Sequence, residues 1–373
     1  MSRRRFTTLL LMSTSVTMAA SCSPTVVLPA AVPSTVPSTA PSTAAGSPAP
    51  SGKTSVSPDT SANASPPAPP SFPRLVAHRG GTQDRPENTL LAIETALANG
   101  ADMIWLTVQL SADDVPVLYR PADLSSLTEG KGPVAGMTFA QLQQLNAGWN
   151  FTGPVATQPP IYPYRTRPVR IPSLREALQR IPDAVPVVLD MKALPAAAQT
   201  VAVAKVLDAE RAWGRVLIYS TEADYQRTFG SYPRARLFES RDATRQRLVD
   251  MTLGGRCDAP GNGTWAGFEL RRKVTVTETF TLGKGETTTN AAFWNARTVA
   301  CYRSRSAVNL VAFGVNDEAG YCEAMRLGVD AVMVDSPTRM RAIRARLKTL
   351  PAPCVRDAAS ALNTPGAPVT PNK

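Results

Sequence analysis

Apolar runs of strand length alternate with helical patterns along most of this chain. Such alternation is typical of βαβ units, whose strands lie parallel in one sheet. A chain of 373 residues with 43% apolar composition is long enough to bury the core of eight such units. The sequence therefore predicts an α/β fold, a (β/α)8 TIM barrel, over residues 72–350. The predicted strands are Leu75–His78, Met103–Leu110, Val185–Asp190, Val216–Ser220, Ala235–Glu239, Trp265–Leu270, Leu310–Val315 and Ala331–Val334, with a short extra run at Val115–Tyr119.

The first predicted strand ends in His78-Arg79-Gly80, which contains the only histidine of the chain. Functional side chains of TIM barrels gather at the carboxyl ends of the strands, which is where this segment falls. A helix is predicted next, from Leu90 to Asn99, and Gly100 ends it. Two interpretations are open: His78 is a functional residue, or it is a histidine satisfied within an ordinary core.

His78-Arg79-Gly80 followed by Pro86-Glu87-Asn88-Thr89 resembles the opening of the glycerophosphodiester phosphodiesterase family. The resemblance continues, in order, at Gly100–Ile104, Val108–Leu110, Val115–Val117, Ile171–Leu174, Asp190–Lys192, Val315–Asp317 and Gly328–Pro337. It implies a barrel in which two histidines act as acid and base on a phosphodiester. It also implies a calcium or magnesium ion held by a Glu-x-Asp pair and a later acidic residue, because hard cations prefer carboxylate oxygens.

This chain departs from the family at several of those positions. The Glu-x-Asp pair falls on Trp105, which offers no oxygen ligand, and on Thr107, which offers only a neutral hydroxyl. The third acidic ligand falls on Asp190. The second histidine falls on Arg120, and an arginine cannot act as a general base at neutral pH. We therefore expect no metal cofactor, and the family's calcium or magnesium is in doubt.

The remaining cations suggest a different way to hold a phosphate. The resemblance places a phosphate-contacting lysine at Lys192, and Arg79 and Arg120 would join it. Arginine binds phosphate bidentately, so these three residues could bind a phosphate or phosphodiester without metal. The competing interpretation is that side chains fill the mouth of the barrel, with Trp105 packed where the ion would bind. The residues expected to support the site are Glu87, Asp190 and Asn316.

Three functional hypotheses follow. In the first, a degenerate barrel binds a phosphate-containing ligand with little or no metal-dependent hydrolysis. In the second, the protein is an active phosphoric diester hydrolase in which His78 and Arg79 act with Arg120 and Lys192. In the third, the barrel is a structural or interaction module of the cell envelope. The net charge of +11 favours an anionic small molecule or lipid head group as partner. Nucleic acid is not expected, because no basic run has interleaved aromatic residues.

Residues 1–22 have the layout of an export signal, with Arg3–Arg5 preceding an apolar stretch. An ordinary secretory leader and a twin-arginine leader both fit this pattern. Ala19-Ala20-Ser21-Cys22 resembles a bacterial lipobox, so we expect a lipid anchor on Cys22 and a place in the bacterial cell envelope. Residues 23–71 are rich in Pro, Ser, Thr and Ala and are predicted to be disordered, as a tether or a linker without a specific role.

An insertion is predicted at about residues 254–298. Lys273–Leu282 alternates with period two, and Gly283–Gly285 is predicted to turn it into a hairpin, either a lid or a surface decoration. Arg339–Lys348 is predicted to be a closing helix, and residues 351–373 a loose tail.

Four cysteines remain if Cys22 is lipidated, an even set suited to disulfides in an oxidising compartment. Pairing Cys257 with Cys301 would staple the base of the insertion, and pairing Cys322 with Cys354 would fix the tail. The sequence leaves the pairing open. The spacing of these cysteines is not that of a zinc site.

Overall fold

Ten strands lie in the part of the chain that the computed structural model describes, residues 72–153, 155 and 157–354. The predicted export signal, lipobox and tether, and the tail after residue 354, lie outside those residues. The strands are β1 (Arg74–His78), β2 (Met103–Leu110), β3 (Pro116–Leu118), β4 (Val187–Met191), β5 (Val216–Tyr219), β6 (Trp265–Glu269), β7 (Arg272–Phe280), β8 (Gly283–Ala291), β9 (Asn309–Phe313) and β10 (Ala331–Val334).

Helices follow most of the parallel strands, as βαβ units require. They are α1 (Leu90–Ala98), α2 (Phe139–Leu142), α3 (Leu174–Arg180), α4 (Ala196–Ala209), α5 (Asp224–Phe229), α6 (Arg241–Gly254), α7 (Ala296–Tyr302), α8 (Glu318–Leu327) and α9 (Pro337–Lys348), with 3-10 turns at Leu124–Ser126 and Val134–Gly136. None of these helices combines the length and the apolar character needed to cross a bilayer.

Seven parallel strands form one curved sheet in the order β5-β4-β2-β1-β10-β9-β6. The two end strands, β5 and β6, are joined through a short extended segment, since Leu237 bridges Ile218 and Phe238 bridges Trp265, both in parallel. Phe238 N donates to Ile218 O (2.9 Å), and Glu239 N donates to Trp265 O (2.8 Å). These contacts close the ring at an eighth position, and the predicted barrel fold is confirmed.

The predicted strand Ala235–Glu239 is wrong as a full strand. Only Leu237 and Phe238 make bridges there. Arg234 and Arg236 in the same segment are exposed, and Arg236 donates to Gly214 O at 2.9 Å. Two apolar residues that follow exposed arginines give too little buried surface for a longer strand.

The helix after β1 shows how local sequence sets an element boundary. Thr89 caps α1, with its side chain accepting a hydrogen bond from Ala92 N at 3.1 Å. The helix ends at Ala98, one residue before the predicted end, and Gly100 follows with φ 72°. A positive φ is accessible to glycine at little energetic cost, so Gly100 ends the helix as predicted. The closing helix α9 begins at Pro337, two residues before its predicted start.

The strands of the barrel turn alternate side chains inward. One buried cluster contains Val76, Trp105, Val188, Leu217 and Phe313, each from a different parallel strand. Because side chains alternate along a strand, His78, Thr107 and Asp190 share the inward face with these residues and lie closer to the carboxyl ends. The mouth of the barrel is therefore lined by the ends of the strands.

The insertion forms the two-stranded hairpin β7–β8, as predicted. Its turn is at Thr281 and Leu282, however, because Phe280 pairs with Gly283 and Gly285 pairs with Glu278 within the ladder. The prediction that Gly283–Gly285 makes the turn is therefore wrong. The alternation of Lys273–Leu282 indicated the first strand, which spans Arg272–Phe280, but did not mark where the chain reverses.

Both disulfide pairings considered from the sequence are present. Cys257 bonds Cys301 with a Cα–Cα distance of 5.6 Å, and Cys322 bonds Cys354 with a Cα–Cα distance of 4.9 Å. The first disulfide ties the segment after α6 to α7, and the second ties α8 to the residues after α9.

Candidate active site at the barrel mouth

His78 ends β1 and is held by a carboxylate from the last strand of the barrel. Its Nδ1 lies 2.7 Å from Asp335 Oδ1, directly after β10. Asp335 also accepts hydrogen bonds from Asn316 Nδ2 (2.7 Å) and Thr82 Oγ1 (3.1 Å). Since an ionised carboxylate only accepts, Nδ1 of His78 carries the proton of this hydrogen bond, and Nε2 is the ring nitrogen left for other partners.

Asp335 is an anion in this network. Burial alone would raise the pKa of Asp335, but the hydrogen bonds and charge of His78, and the hydrogen bonds from Asn316 and Thr82, bring it below its ordinary value. The carboxylate fixes the ring of His78, as a carboxylate orients the histidine of many hydrolytic sites.

Arg79, the residue after β1, has a strained backbone. Its φ is 51°, and Gly80 and Gly81 follow with φ of 81° and 102°. A non-glycine residue in the left-handed region is destabilised by about 1–3 kcal/mol, and such strain clusters at functional sites. The Arg79 guanidinium donates to Glu87 Oε2 at 2.7 Å, so Glu87 supports Arg79 as the sequence suggested.

Trp105 and Thr107, where the sequence resemblance places the family's Glu-x-Asp pair, are buried in β2. Trp105 is 3% exposed, and its ring centroid lies 4.9 Å from that of Tyr219 and 5.4 Å from that of Phe313. Thr107 is fully buried; its backbone N donates to Asn88 Oδ1 (3.0 Å), and its hydroxyl donates to Asp190 Oδ2 at 3.4 Å. Trp105 packs among aromatic rings, and Thr107 contributes only an uncharged hydroxyl at its position.

Asp190, the remaining acidic position, faces a lysine. Lys192 Nζ lies 3.0 Å from Asp190 Oδ1, an ion pair by distance that lacks the angles of a hydrogen bond. Burial raises the pKa of Asp190, while the nearby charges of Lys192 and Arg79 act to lower it. An ammonium at this distance would repel a divalent cation.

The residues therefore do not fit the family's calcium or magnesium ion. No group of three metal-ligating His, Cys, Asp or Glu side chains occurs among the described residues. Of the acidic side chains at the mouth, Asp190 is paired with Lys192, Glu87 with Arg79, and Asp335 with His78.

A cavity of about 280 Å³ opens at this mouth. Its wall is formed by His78, Trp105, Asp190, Tyr219, Arg241, Glu269, Phe313, Gly314, Met333 and Asp335. Arg241, the first residue of α6, donates through one nitrogen to Glu269 Oε1 (2.6 Å) and Oε2 (2.8 Å), and through the other to Tyr219 OH at 3.3 Å. Arg241 is the guanidinium that the structure brings to the cavity.

The three predicted phosphate-binding cations do not share this wall. Arg120 is exposed and is not among the wall residues, so a clamp of Arg120 with Arg79 and Lys192 stays a prediction. Arg79 and Lys192 are not among the wall residues either, and each is paired with a carboxylate. Arg120 follows β3, which pairs antiparallel with β2, so its position in the chain does not place it at the end of a parallel barrel strand.

Sequence reasoning missed three polar side chains of the wall, Tyr219, Arg241 and Glu269, and gave Asp335 no role. Tyr219 and Glu269 are the last residues of β5 and β6, so the rule that strand ends carry function could have found them. Arg241 begins a helix after an irregular segment, and no sequence signal marks it.

Four buried side-chain atoms lack a hydrogen-bond partner within the described residues, and all four belong to this region. They are Arg79 Nε, Glu87 Oε1, Asn88 Nδ2 and Asp190 Oδ1. Buried polar groups are almost always satisfied, and local exceptions concentrate at functional sites. The barrel mouth is where this chain departs from that rule.

Comparison with known proteins decides the family. The model of the glycerophosphoryl diester phosphodiesterase family matches residues 78–339. The chain belongs to this family. The uncharacterized protein Rv2277c of Mycobacterium tuberculosis is 50% identical over 266 residues, which cover 71% of this chain and 87% of that protein.

Solved structures of family members agree with the fold. The crystal structure of the glycerophosphoryl diester phosphodiesterase domain of Rv2277c from Mycobacterium tuberculosis has a TM-score of 0.68 and 48% identity, covering 74% of this chain and all of that one. An Oleispira antarctica phosphodiesterase, solved with the product sn-glycerol-3-phosphate, has a TM-score of 0.54 and 21% identity, covering 74% and 97% of the two chains. Membership of the family supports a function of the glycerophosphodiester phosphodiesterase type.

Proposed function

We propose that this protein binds a glycerophosphodiester at its barrel mouth and lacks the metal-dependent hydrolysis that the family resemblance implies. The observation that carries the proposal is Trp105, packed among aromatic rings at the position of an expected metal ligand. Thr107 supplies no charge at the second position, and Lys192 occupies the side of Asp190 where a cation would bind. Phosphate ester binding thus has to rely on protein cations.

The phosphate group would meet His78 Nε2 and Lys192 at the rim. Lys192 follows β4, and its ammonium also donates to Thr221 Oγ1 at 3.3 Å, which leaves the lysine at the carboxyl end of the barrel. The bound sn-glycerol-3-phosphate of the Oleispira antarctica protein supports a phosphate-containing small molecule as the ligand class. The strain at Arg79 and the unsatisfied atoms nearby favour a working site over an inert barrel.

A second candidate function is metal-independent hydrolysis of the same phosphodiester. The Asp335–His78 pair favours it, because a carboxylate-held imidazole with Nε2 toward the cavity can take a proton from an attacking hydroxyl. Fixed cations and donors can also stabilise charge that builds on the phosphoryl oxygens. This function requires His78, whereas binding alone requires mainly the cations.

We also propose that the protein is exported and held at the bacterial cell envelope by a lipid on Cys22. The two disulfides support export, because such bonds form and persist mainly in oxidising compartments. The third hypothesis, a structural or interaction module of the envelope, predicts no ligand at the mouth.

Calorimetric titration of the full chain with glycerophosphocholine and with sn-glycerol-3-phosphate tests the binding function. The titration is run with calcium and with a chelator. We expect equal affinities in both buffers and about a tenfold loss in Lys192→Gln, because a charge-assisted contact to phosphate is removed.

Lys205→Gln is the matched control, because Lys205 is an exposed lysine on α4 outside the cavity. Binding that appears only with calcium would contradict the metal-free site. If neither ligand binds, only the third hypothesis, a structural or interaction module of the envelope, would remain.

A further inference from the structure

One basic run does carry interleaved aromatic residues, which corrects the expectation that none does. Residues 161–170, the arginine loop, contain Tyr162, Tyr164, Arg165, Arg167 and Arg170. The loop precedes α3 and belongs to none of the helices and strands. From residue 130 to residue 175 the sequence has four arginines and one lysine but no Asp or Glu. The arginine loop is therefore part of a long segment without acidic side chains.

A buried asparagine holds the arginine loop in place. Asn146 is 4% exposed, its Nδ2 donates to Tyr164 O (2.8 Å), and its Oδ1 accepts from Val169 N (3.1 Å). Arg165 Nε donates to Trp149 O at 3.1 Å. Because two points of the loop are bonded to the same side chain, the loop presents its exposed residues in a defined arrangement.

The arginine loop presents aliphatic side chains together with cations. Ile161 is 60% exposed, and Val155, in the segment that leads into the loop, is 71% exposed. Arg165, Arg167 and Arg170 are exposed as well. Neither Arg167 nor Arg170 forms an ion pair with an acidic side chain of the described residues. Apolar side chains beside such cations are typical of segments that bind the surface of anionic bilayers.

The aromatic rings of the loop are already engaged within the protein. The guanidinium carbon of Arg165 lies 3.8 Å from the ring centroid of Tyr162 and 4.7 Å from that of Trp149. Tyr164 packs against Phe151 with centroids 5.7 Å apart. Proteins that bind single-stranded nucleic acid need open ring faces on which bases stack. Engaged rings and exposed aliphatic side chains favour a bilayer, because Tyr and Trp suit its interface.

Phe151 connects the arginine loop to the mouth of the barrel. Phe151 contacts Tyr164 of the loop and lines a cavity of about 270 Å³ together with Thr82 and Glu87. Thr82 in turn donates to Asp335 at 3.1 Å. A bilayer that contacts the loop would therefore lie close to the mouth.

We propose that the arginine loop docks the barrel on an anionic phospholipid bilayer. Ile161 and Val155 enter the interface, and Arg165, Arg167 and Arg170 contact lipid phosphates. This surface is separate from the cavity at the mouth and from Cys22, so the inference does not depend on the proposed function.

A fluorescent label at Thr166, between two of the arginines, tests this docking in the full chain. Thr166→Cys is combined with Cys22→Ser, so that the four remaining cysteines are in disulfides and one thiol takes a nitrobenzoxadiazole label. Vesicles of phosphatidylcholine alone are compared with vesicles that also contain phosphatidylglycerol. We expect emission to rise only with the anionic vesicles, because the label then leaves water. The same label at Lys205, an exposed position on α4, should show no change.

Arg167→Gln/Arg170→Gln, in the labelled chain, should raise the lipid concentration at half-saturation about 30-fold. Each arginine near an anionic surface contributes about fivefold to the affinity. Arg297→Gln/Arg305→Gln is the matched control, because it removes the same charge from two exposed arginines elsewhere. We expect this control to change the half-saturation concentration by roughly twofold at most.

Ile161→Ser should raise the half-saturation concentration about tenfold, because an exposed isoleucine side chain no longer enters the interface. Leu282→Ser is its matched control, since Leu282 is 99% exposed at the turn of the β7–β8 hairpin, and we expect no change.

An emission that does not rise with anionic vesicles, or equal losses in the loop variants and their controls, would overturn the inference. An equal rise at Lys205 would overturn it too, because the chain would then adsorb without a preferred surface. A rise with a single-stranded oligonucleotide in place of vesicles, unaffected by Ile161→Ser, would assign the loop to nucleic acid and overturn docking on a bilayer.

Discussion

Replacing Trp105 by alanine tests whether this side chain fills the position of the family's ion as part of the core. The side chain is 3% exposed and contacts three aromatic rings, those of Tyr219, Phe238 and Phe313. An aromatic side chain buries about 150–250 Å², worth roughly 4–6 kcal/mol at about 25 cal/mol per Å². Alanine keeps a small part of that area and the rings relax only partly, so we expect the free energy of unfolding to fall by about 4 kcal/mol.

Urea denaturation of the full chain, followed by circular dichroism, measures this loss. A fall of about 4 kcal/mol corresponds to a melting temperature roughly 10 °C lower. Trp149→Ala is the control, because Trp149 is only half-buried and lies against Arg165 instead of in the ring cluster. We expect it to lose less than half as much.

A loss below about 1 kcal/mol in Trp105→Ala would refute this reasoning, since surface substitutions have effects of that size. The indole would then not fill a packed space, and the position would be open to other occupants.

Asp335→Asn should lower the free energy of unfolding by about 2 kcal/mol at pH 7, as expected for a charge-assisted hydrogen bond. Because the pKa of Asp335 is depressed in the folded state, that contribution is complete above about pH 4 and is lost as the pH falls through the folded pKa. If the two proteins differ in free energy of unfolding by the same amount at low pH as at pH 7, this prediction is wrong. The double variant Cys257→Ser/Cys301→Ser should lower the free energy of unfolding by about 4 kcal/mol, because it opens a disulfide whose cysteines are separated by 44 residues. An unchanged melting transition in calorimetry would oppose this expectation. Millimolar calcium should leave the melting temperature unchanged, whereas an ion bound at about 100 times its Kd would stabilise the fold by roughly 2.7 kcal/mol.

Much of the barrel could be predicted, because each strand can be recognised from its own residues. Buried parallel strands are short apolar runs, and the bounds predicted for β2 and β10 agree with the structure at both ends. The segment Ala235–Glu239 failed because a barrel can be closed by two bridging residues, and no periodicity marks so short a contact. The hairpin turn failed because glycines also serve within a ladder, where Gly285 makes room for the ring of Phe280.

The site was predictable only in part. His78, Arg79 and Asp190 lie at strand ends, and their neighbourhood follows from the fold. The contribution of Arg241 depends on how α6 begins after an irregular segment, which the sequence does not encode in a readable pattern. The predicted role of Arg120 rests on a sequence correspondence alone, and the side chain is exposed in the structure. The pairing of His78 with Asp335 across the mouth joins residues far apart in the sequence, so it could not be predicted without the structure.

Release of sn-glycerol-3-phosphate from glycerophosphocholine by the full chain tests the central claim most directly. It is measured with calcium, with magnesium and with a chelator, beside a His78→Asn variant. The metal-free binding site predicts no release that depends on either ion. Release that persists with the chelator and is lost in His78→Asn would establish the second candidate function. Release that requires calcium or magnesium would contradict the account, because Trp105 and Thr107 would then not have removed the ion from this site.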